Sequence, residues 1–382
     1  MDKDIFNQPA PGPSAPLLVG ITGLILVSAP LAGIWLAGQP LDPYLEFPPR
    51  PAPRVVAGFS WTAFWLLAAF IVAAVAPWVR RLLNAPAAAP GTAIRQQTFP
   101  IWGWAAVLWL AVSWMLAWTR IPWFESFQHH TFAPLWLGYI GVVNAITMQR
   151  AGSCLLTREP ARFAALFPLS ALFWWFFEYL NRFVANWRYV GIEDFGALEY
   201  TFFATLAFST VLPAVTSTAE WLGTFPRLNA AFARWYPMRV PHPKLAAALV
   251  LALTTLSLAA LGVFHDYVFP LVWISPVLVI ICLQALGGRV TVLAPLASGD
   301  WRGIASFSAA ALVSGFFWEM WNYGSLAHWE YGIPHVDRFH LFEMPLLGYA
   351  GYLPFGVECA AIAALVLDRE TLQRHARDVI RG

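Results

Sequence analysis

Long apolar stretches that carry little or no charge recur along this chain. A helix that crosses the roughly 30 Å hydrocarbon core of a membrane needs about 20 mostly apolar residues. The pattern therefore predicts ten membrane-spanning helices, over Leu17–Gly38, Val55–Val79, Ile101–Trp118, Thr131–Met148, Phe163–Trp187, Thr201–Gly223, Leu245–Phe264, Tyr267–Gly288, Ile304–Trp329 and Leu346–Leu367. The third and fourth stretches are short, which leaves nine or eleven crossings open as alternatives.

Composition and charge agree with an all-α, polytopic integral membrane bundle. Of the 382 residues, 59% are hydrophobic and 12% charged, whereas soluble proteins carry about 25% charged residues. With ten spans, 17 basic residues fall on the side of both termini and 6 on the other. Because basic residues concentrate on the cytoplasmic side, both termini are predicted to be cytoplasmic. The short loops and the excess of Arg over Lys suggest a bacterial inner membrane.

Two segments of the chain repeat each other. Each has an E-x-x-N motif, a W-x-Y motif, a glutamate near the start of the next span and a Leu-Pro within that span. The sequences FAPLW and FPLVW open the fourth and eighth spans in the same register. The chain therefore divides into a Pro-rich N-terminus with two leading helices (1–99), two parallel four-helix repeats (100–243 and 244–367) and a cytoplasmic tail (368–382).

The repeated motifs supply the candidate site, because ionisable groups within a membrane are costly and usually functional. The candidate catalytic residues, all at one depth near the outer face, are Glu319, Asn322, Glu343, Glu178, Asn181 and Glu199. The candidate substrate-binding residues are Trp318, Trp321, Trp329, Tyr331, Trp187, Tyr189 and the deeper Glu358.

Structural roles remain open for several of these residues. Glu178 has Arg182 one helical turn away and could form an ion pair with it. Asn181 and Asn322 could be simple interhelical hydrogen-bond partners. Glu220, at the cytoplasmic end of its span, is expected to have an interfacial role.

Other kinds of site find little support in the sequence. The polar loop near His328, His335 and His340 could hold a metal, but its spacing matches no metal motif, and a solvated loop is favoured. We therefore expect no metal and no cofactor. The three cysteines are too far apart along the chain for a CxxC motif, and a net charge of +2 gives no indication of nucleic-acid binding.

The E-x-x-N, W-x-Y and acidic-proline motifs resemble in part the membrane-bound lycopene-cyclase-type family of carotenoid biosynthesis. Trp329, Tyr331 and the segment from Glu343 to Pro345 match the family pattern in the second repeat. Trp187, Tyr189 and Glu199 match it in the first. The resemblance implies an isoprenoid substrate and acid–base chemistry.

Three functions are consistent with these features. The first is a membrane enzyme, such as a cyclase, isomerase or hydratase, that acts on a lipidic, carotenoid-like or other isoprenoid substrate. In this enzyme Glu319 is the acid, Glu343 or Glu178 is the base or its partner, and Asn322 supplies an orienting hydrogen bond. The alternative is a proton-coupled transporter that uses the intramembrane glutamates. The third is a structural or assembly protein. The expected partners are membrane lipids or an isoprenoid small molecule.

Overall fold

The computed structural model describes residues 15–49, 55–86 and 97–367. Most of the Pro-rich N-terminus and the whole tail 368–382 lie outside the described residues, as do short parts of the segments that flank the second leading helix. The predictions made for these parts of the chain are therefore not addressed by the structure.

Helices dominate the described residues. The α-helices are α1 (Ala15–Leu36), α2 (Asp42–Leu45), α3 (Trp61–Leu83), α4 (Ile101–Trp118), α5 (Phe132–Ala151), α6 (Leu155–Arg158), α7 (Pro160–Val184), α8 (Ala197–Phe208), α9 (Val211–Gly223), α10 (Pro226–Phe232), α11 (Pro243–Ala260), α12 (His265–Val268), α13 (Ser275–Leu286), α14 (Arg302–Gly324) and α15 (Tyr352–Ala363). Short 3₁₀ segments cover Pro122–His130, Phe269–Trp273, Ala294–Ser298 and Leu346–Gly351.

The apolar stretches correspond to helices of membrane-spanning length. Within the described ranges, eight such segments are long and apolar enough to cross a membrane. The number rises to ten if each of two bent helix pairs forms one span. One bend, of 75°, joins Pro122–His130 to α5, and the other, of 56°, joins His265–Trp273 to α13. The prediction of an all-α protein with many transmembrane-length helices is confirmed at this level.

The predicted ends of the fifth and ninth spans are wrong. The helices stop at Val184 and Gly324 rather than at Trp187 and Trp329. The first stop occurs because Ala185 adopts a left-handed conformation with φ of 51°. The chain then forms short strands, β1 (Trp187–Val190) and β2 (His328–Tyr331), that pair antiparallel. A second small ribbon joins β3 (His340–Leu341) to β4 (Met344–Pro345).

The core of the bundle lies around α9 and α14. Nearly every residue of α9 is buried, whereas Phe64 is the buried residue of α3, which lies at the periphery. Helices α14 and α15 approach closely at Gly356, where a Cβ atom would lie 2.2 Å from the carbonyl oxygen of Phe307. Buried residues at the ends of α7 and α14, which carry the two E-x-x-N motifs, belong to the same core cluster.

Candidate functional site

The two W-x-Y motifs form one two-stranded ribbon. Trp187 pairs with Tyr331, and Tyr189 pairs with Trp329, so each tryptophan lies opposite the tyrosine of the other motif. Between them, Arg188 and Glu330 form a cross-strand ion pair of 2.6 Å. Segments that are more than 140 residues apart in sequence thus place four aromatic side chains next to each other.

The two asparagines hold the ribbon on the helix ends. The Asn181 side-chain amide donates to the Trp187 carbonyl at 2.7 Å, and its oxygen accepts from the backbone N–H of Asn186 at 2.8 Å. Asn322 donates to the Trp329 carbonyl and accepts from the Trp329 N–H, both at 2.7 Å. Both asparagine side chains are therefore engaged with backbone groups just beyond the helices, where they fix the start of each strand.

Glu178 is fully buried and accepts three hydrogen bonds on a single oxygen. Its Oε1 accepts from the Tyr189 hydroxyl at 2.6 Å and from the indole N–H groups of Trp187 and Trp174, both at 3.1 Å. Arg182 does not form the ion pair with Glu178 that its position one helical turn away suggested. Arg182 instead donates to the backbone carbonyls of Tyr44 and Glu46, because the segment after α1 packs against this part of α7.

Glu319 occupies the corresponding place on α14 with different donors. Its Oε1 accepts from the Tyr331 hydroxyl at 2.8 Å and from the Tyr352 hydroxyl at 2.6 Å. The indole N–H of Trp329 in turn donates to the Tyr331 oxygen at 2.8 Å. Each W-x-Y motif therefore directs a tyrosine hydroxyl to the glutamate of its own E-x-x-N motif.

The two ribbon tyrosines remain hydrogen-bond donors over the physiological pH range. Burial, and then the nearby Glu178 carboxyl, raise the pKa of the Tyr189 hydroxyl well above its ordinary value. Burial and Glu319 raise the pKa of the Tyr331 hydroxyl in the same way. An apolar environment disfavours the phenolate, so these hydroxyls keep their protons.

A partly open cavity of about 310 Å³ lies beside the ribbon. This volume is near the lower end of the roughly 300–1,000 Å³ that small-molecule sites occupy. The wall is mostly aromatic, and it includes the three tyrosines that hydrogen-bond the glutamates, Tyr189, Tyr331 and Tyr352. The glutamates are not part of the described wall, so the tyrosine hydroxyls stand between the carboxyl groups and the cavity.

The structure brings together most of the predicted substrate-binding residues. Trp187, Tyr189, Trp318, Trp329 and Tyr331 lie on the cavity wall. Trp321 does not lie on the described wall, because its ring packs into the core against Trp136 and Trp114. Glu358 is buried in α15, also away from the wall, and neither of its oxygens has a hydrogen-bond partner among the described residues.

The other predicted acidic residues are not among the described residues of the cavity wall. Glu199 is exposed on the first turn of α8, and Glu343 is half-buried between β3 and β4. Neither contributes to the wall as far as the structure describes it. Glu220 contacts Arg158 at 2.8 Å and accepts from the Leu155 N–H at 2.7 Å, so it joins α9 to α6.

Sequence reasoning missed several wall residues. Tyr352 is the most important, and it lies outside every repeated motif, so no sequence signal pointed to it. Phe132 and Trp273, in contrast, belong to the repeated FAPLW and FPLVW segments, which could have indicated them. Phe203 and Tyr200 come from α8, which lies along the cavity.

The polar loop near His328, His335 and His340 was considered as a possible metal site. Within the part of the chain that the structure describes, no group of three His, Cys, Asp or Glu residues is arranged to hold a metal ion. His340 contacts Asp337 at 2.8 Å, and His328 lies 3.8 Å from Glu330. The His340 pair lies at the surface of the loop, whereas His328 also lies on the cavity wall, together with His129 and His130.

Comparison with known proteins yields no relative, since no family model, curated protein or solved structure matches the chain. The resemblance to lycopene-cyclase-type proteins therefore stays a prediction from the motifs.

Proposed function

We propose that this protein is an integral membrane enzyme that acts on a lipidic, isoprenoid-type substrate by proton transfer. The observation that carries the proposal is the aromatic cavity whose wall bears three tyrosine hydroxyls, each within 2.8 Å of a buried glutamate. An apolar wall with a few convergent polar groups is typical of a small-molecule site. Such a wall suits an apolar substrate, and the polar groups supply the acid and the base.

The position of α8 supports access from the lipid phase. Phe203 and Ala207 lie on the cavity wall, while Leu198 and Phe202 of the same helix are exposed. A single helix therefore separates the cavity from its surroundings on that side. A substrate dissolved in a membrane would have a short path to the tyrosines.

In the proposed reaction the protein adds one proton to the substrate and removes another from it. Addition of a proton to an alkene carbon creates a carbocation, and loss of a proton from a neighbouring carbon restores a double bond. In our proposal Glu319 starts protonated and Glu178 starts ionised. The Tyr352 hydroxyl turns from Glu319 to the alkene and gives it a proton, while Glu319 gives its own proton to the Tyr352 oxygen. Glu178 then takes up the second proton through Tyr189, and proton exchange with water restores both carboxyls. The neighbouring aromatic rings stabilise the cation through their π-electrons, as they do other cations.

We further propose that residues 100–243 and 244–367 are parallel repeats. The paired W-x-Y strands, the matching asparagine contacts and the two bent helix pairs all support this arrangement. The charge distribution supports cytoplasmic termini in a bacterial inner membrane. Under this proposal the cavity faces the outer half of the bilayer.

The proposal is tested by comparing lipid and pigment extracts from cells that lack the protein, cells that express it, and cells that express Glu319→Gln at matched abundance. Glu330→Gln is the control, because Glu330 is a carboxylate on the same ribbon that lies outside the cavity wall. We expect a product that the wild type and Glu330→Gln form and Glu319→Gln does not. Normal product formation by Glu319→Gln would reject the assigned chemistry. Failure of Glu319→Gln to fold would point to a structural role for this glutamate.

One observation favours a second candidate, a proton-coupled transporter. Glu358 is buried in α15, and within the described structure neither of its oxygens has a hydrogen-bond partner. Intramembrane carboxyls of this kind serve as proton sites in carriers. Proton flux into vesicles containing the purified protein, detected with a pH-sensitive dye and abolished by Glu358→Gln, would favour this candidate. Equal flux with and without the protein would count against it.

A further inference from the structure

Three histidines, His129, His130 and His328, lie on the cavity wall. All three are half-buried, and among the described residues they form no group that could hold a metal ion. His130 Nδ1 is buried without a partner. In contrast, His130 Nε2 and both ring nitrogens of His129 keep accessible surface and have no hydrogen-bond partner among the described residues. These nitrogens are therefore available to a ligand, whereas the tyrosine hydroxyls of the wall already donate to Glu178 and Glu319.

Contacts place the histidines toward one end of the ribbon. His328 is the first residue of β2 and pairs with the last residue of β1. The segment after β1 reaches Phe195, whose ring centroid lies 5.7 Å from that of His129 and 5.5 Å from that of His130. Tyr331 is the last residue of β2, roughly 10 Å from His328 at about 3.3 Å per residue. The wall therefore carries histidines toward one end of the ribbon and a glutamate-bound tyrosine at the other.

The charges near the histidines favour an uncharged ligand group. Three carboxylates interact electrostatically with these histidines, namely Glu193, Glu199 and Glu330. They would repel an anion, the described wall includes no Lys or Arg to balance one, and Arg188 of the ribbon is already paired with Glu330. None of the three carboxylates belongs to the described wall, so a cation in the cavity would lack a direct partner as well. Burying an unbalanced charge of either sign is costly.

A hydroxyl group matches the two adjacent histidine rings. A neutral imidazole offers one N–H donor and one lone-pair acceptor, and a hydroxyl group likewise donates and accepts, whereas a carbonyl oxygen would use only the donors. The ring centroids of His129 and His130 lie 6.3 Å apart, close enough for one hydroxyl group to contact both. We propose that His129 and His130 bind the hydroxyl group of an isoprenoid alcohol whose hydrocarbon chain lies along the aromatic wall. The isoprenoid part of this inference rests on the proposed function.

His340 provides a matched control. It is exposed, pairs with Asp337 at 2.8 Å and does not belong to the described wall. Replacing a histidine by Phe keeps a planar ring and removes both nitrogens. In His130→Phe the new ring can retain the stacking on Phe203, whose centroid lies 3.6 Å from that of His130. A change in binding would therefore report the loss of the nitrogens rather than the loss of the ring.

The test uses the purified full chain in lipid nanodiscs and three probes that share one carbon skeleton: geraniol, the matching hydrocarbon without the hydroxyl group, and geranyl monophosphate. Calorimetric titration measures each affinity, with empty nanodiscs as the blank for partition into lipid. We expect the wild type and His340→Phe to bind geraniol about five-fold more tightly than the hydrocarbon for each hydrogen bond formed. Geranyl monophosphate should bind more weakly than geraniol. The double variant His129→Phe/His130→Phe should bind geraniol and the hydrocarbon equally, with the hydrocarbon affinity unchanged. If this variant does not fold, His129→Phe alone is compared, since His129 makes no hydrogen bond among the described residues.

The outcomes separate this inference from the proposed function. The inference is overturned if geraniol binds the wild type no more tightly than the hydrocarbon, or if the preference for geraniol persists without the two histidines. Tighter binding of geranyl monophosphate than of geraniol would also overturn it, because the group bound would then be an anion. None of these results bears on proton transfer at the glutamates. The proposed function fails separately, when the extracts of cells with and without the protein are the same.

Discussion

Replacing Asn322 by Ala should destabilise the protein by loosening the ribbon from the end of α14. The Asn322 side chain makes two hydrogen bonds of 2.7 Å, both to the backbone of Trp329. The Ala side chain makes neither bond, so the N–H and C=O groups of Trp329 lose these partners. A typical net contribution is roughly 0.5–1.5 kcal/mol for each bond. We therefore expect the free energy of unfolding to fall by about 2 kcal/mol.

A second substitution tests how much each of the two Asn322 hydrogen bonds contributes to the loss of stability. Asn322→Asp retains an oxygen that can accept from the Trp329 N–H but loses the amide that donates to the Trp329 carbonyl. Its loss of stability should be at least about 1 kcal/mol. Asn84 is an exposed asparagine at the end of α3, and Asn84→Ala should change stability by less than about 0.5 kcal/mol.

Unfolding in mixed micelles with increasing sodium dodecyl sulfate, followed by tryptophan fluorescence and circular dichroism, measures these differences. Asn322→Ala should also reduce product formation, because Trp329 and Tyr331 lose their fixed position beside Glu319. Wild-type stability combined with lost activity would refute this reasoning. That result would instead support the role considered from the sequence, in which Asn322 makes a hydrogen bond that orients the reacting groups.

Two further predictions concern packing and an ion pair. Gly356→Ala should lower the thermal unfolding midpoint in detergent, because the new Cβ would lie 2.2 Å from the carbonyl oxygen of Phe307. The control is Gly303→Ala, which has open space around it and should leave the midpoint unchanged or slightly higher. Equal midpoints for the two variants would contradict the close approach of α14 and α15. Glu220→Gln should reduce the free energy of unfolding by about 1–2 kcal/mol, because it removes the charge that faces Arg158 at 2.8 Å. An unchanged denaturant midpoint would show that this contact does not support the fold.

Much of the helical architecture could be predicted from the sequence because apolar length is a strong signal for membrane-spanning helices. The spacing of the E-x-x-N and W-x-Y motifs also indicated residues that meet in space. The paired strands were missed because Trp187 and Trp329 extend the apolar stretches beyond the helix ends. Hydropathy does not distinguish a helix from a short aromatic strand in such a place.

The remaining errors depend on contacts between distant parts of the chain. The proximity of Glu178 and Arg182 suggested an ion pair, but carbonyl groups of the segment after α1 bind the guanidinium instead. Tyr352 reaches Glu319 only because α15 packs on α14. Local spacing carries no information about either contact, since both arise from tertiary packing.

The most direct test of the central claim is to fill the cavity and measure the lipid product in cell extracts. Ala207→Trp places a large ring at the cavity wall, whereas Phe202→Trp changes an exposed position of the same helix. Elution of each variant as a single folded species provides the control for folding. We predict that Ala207→Trp forms no product and that Phe202→Trp forms as much as the wild type. Undiminished product formation by a folded Ala207→Trp protein would contradict the claim that this cavity is the substrate site.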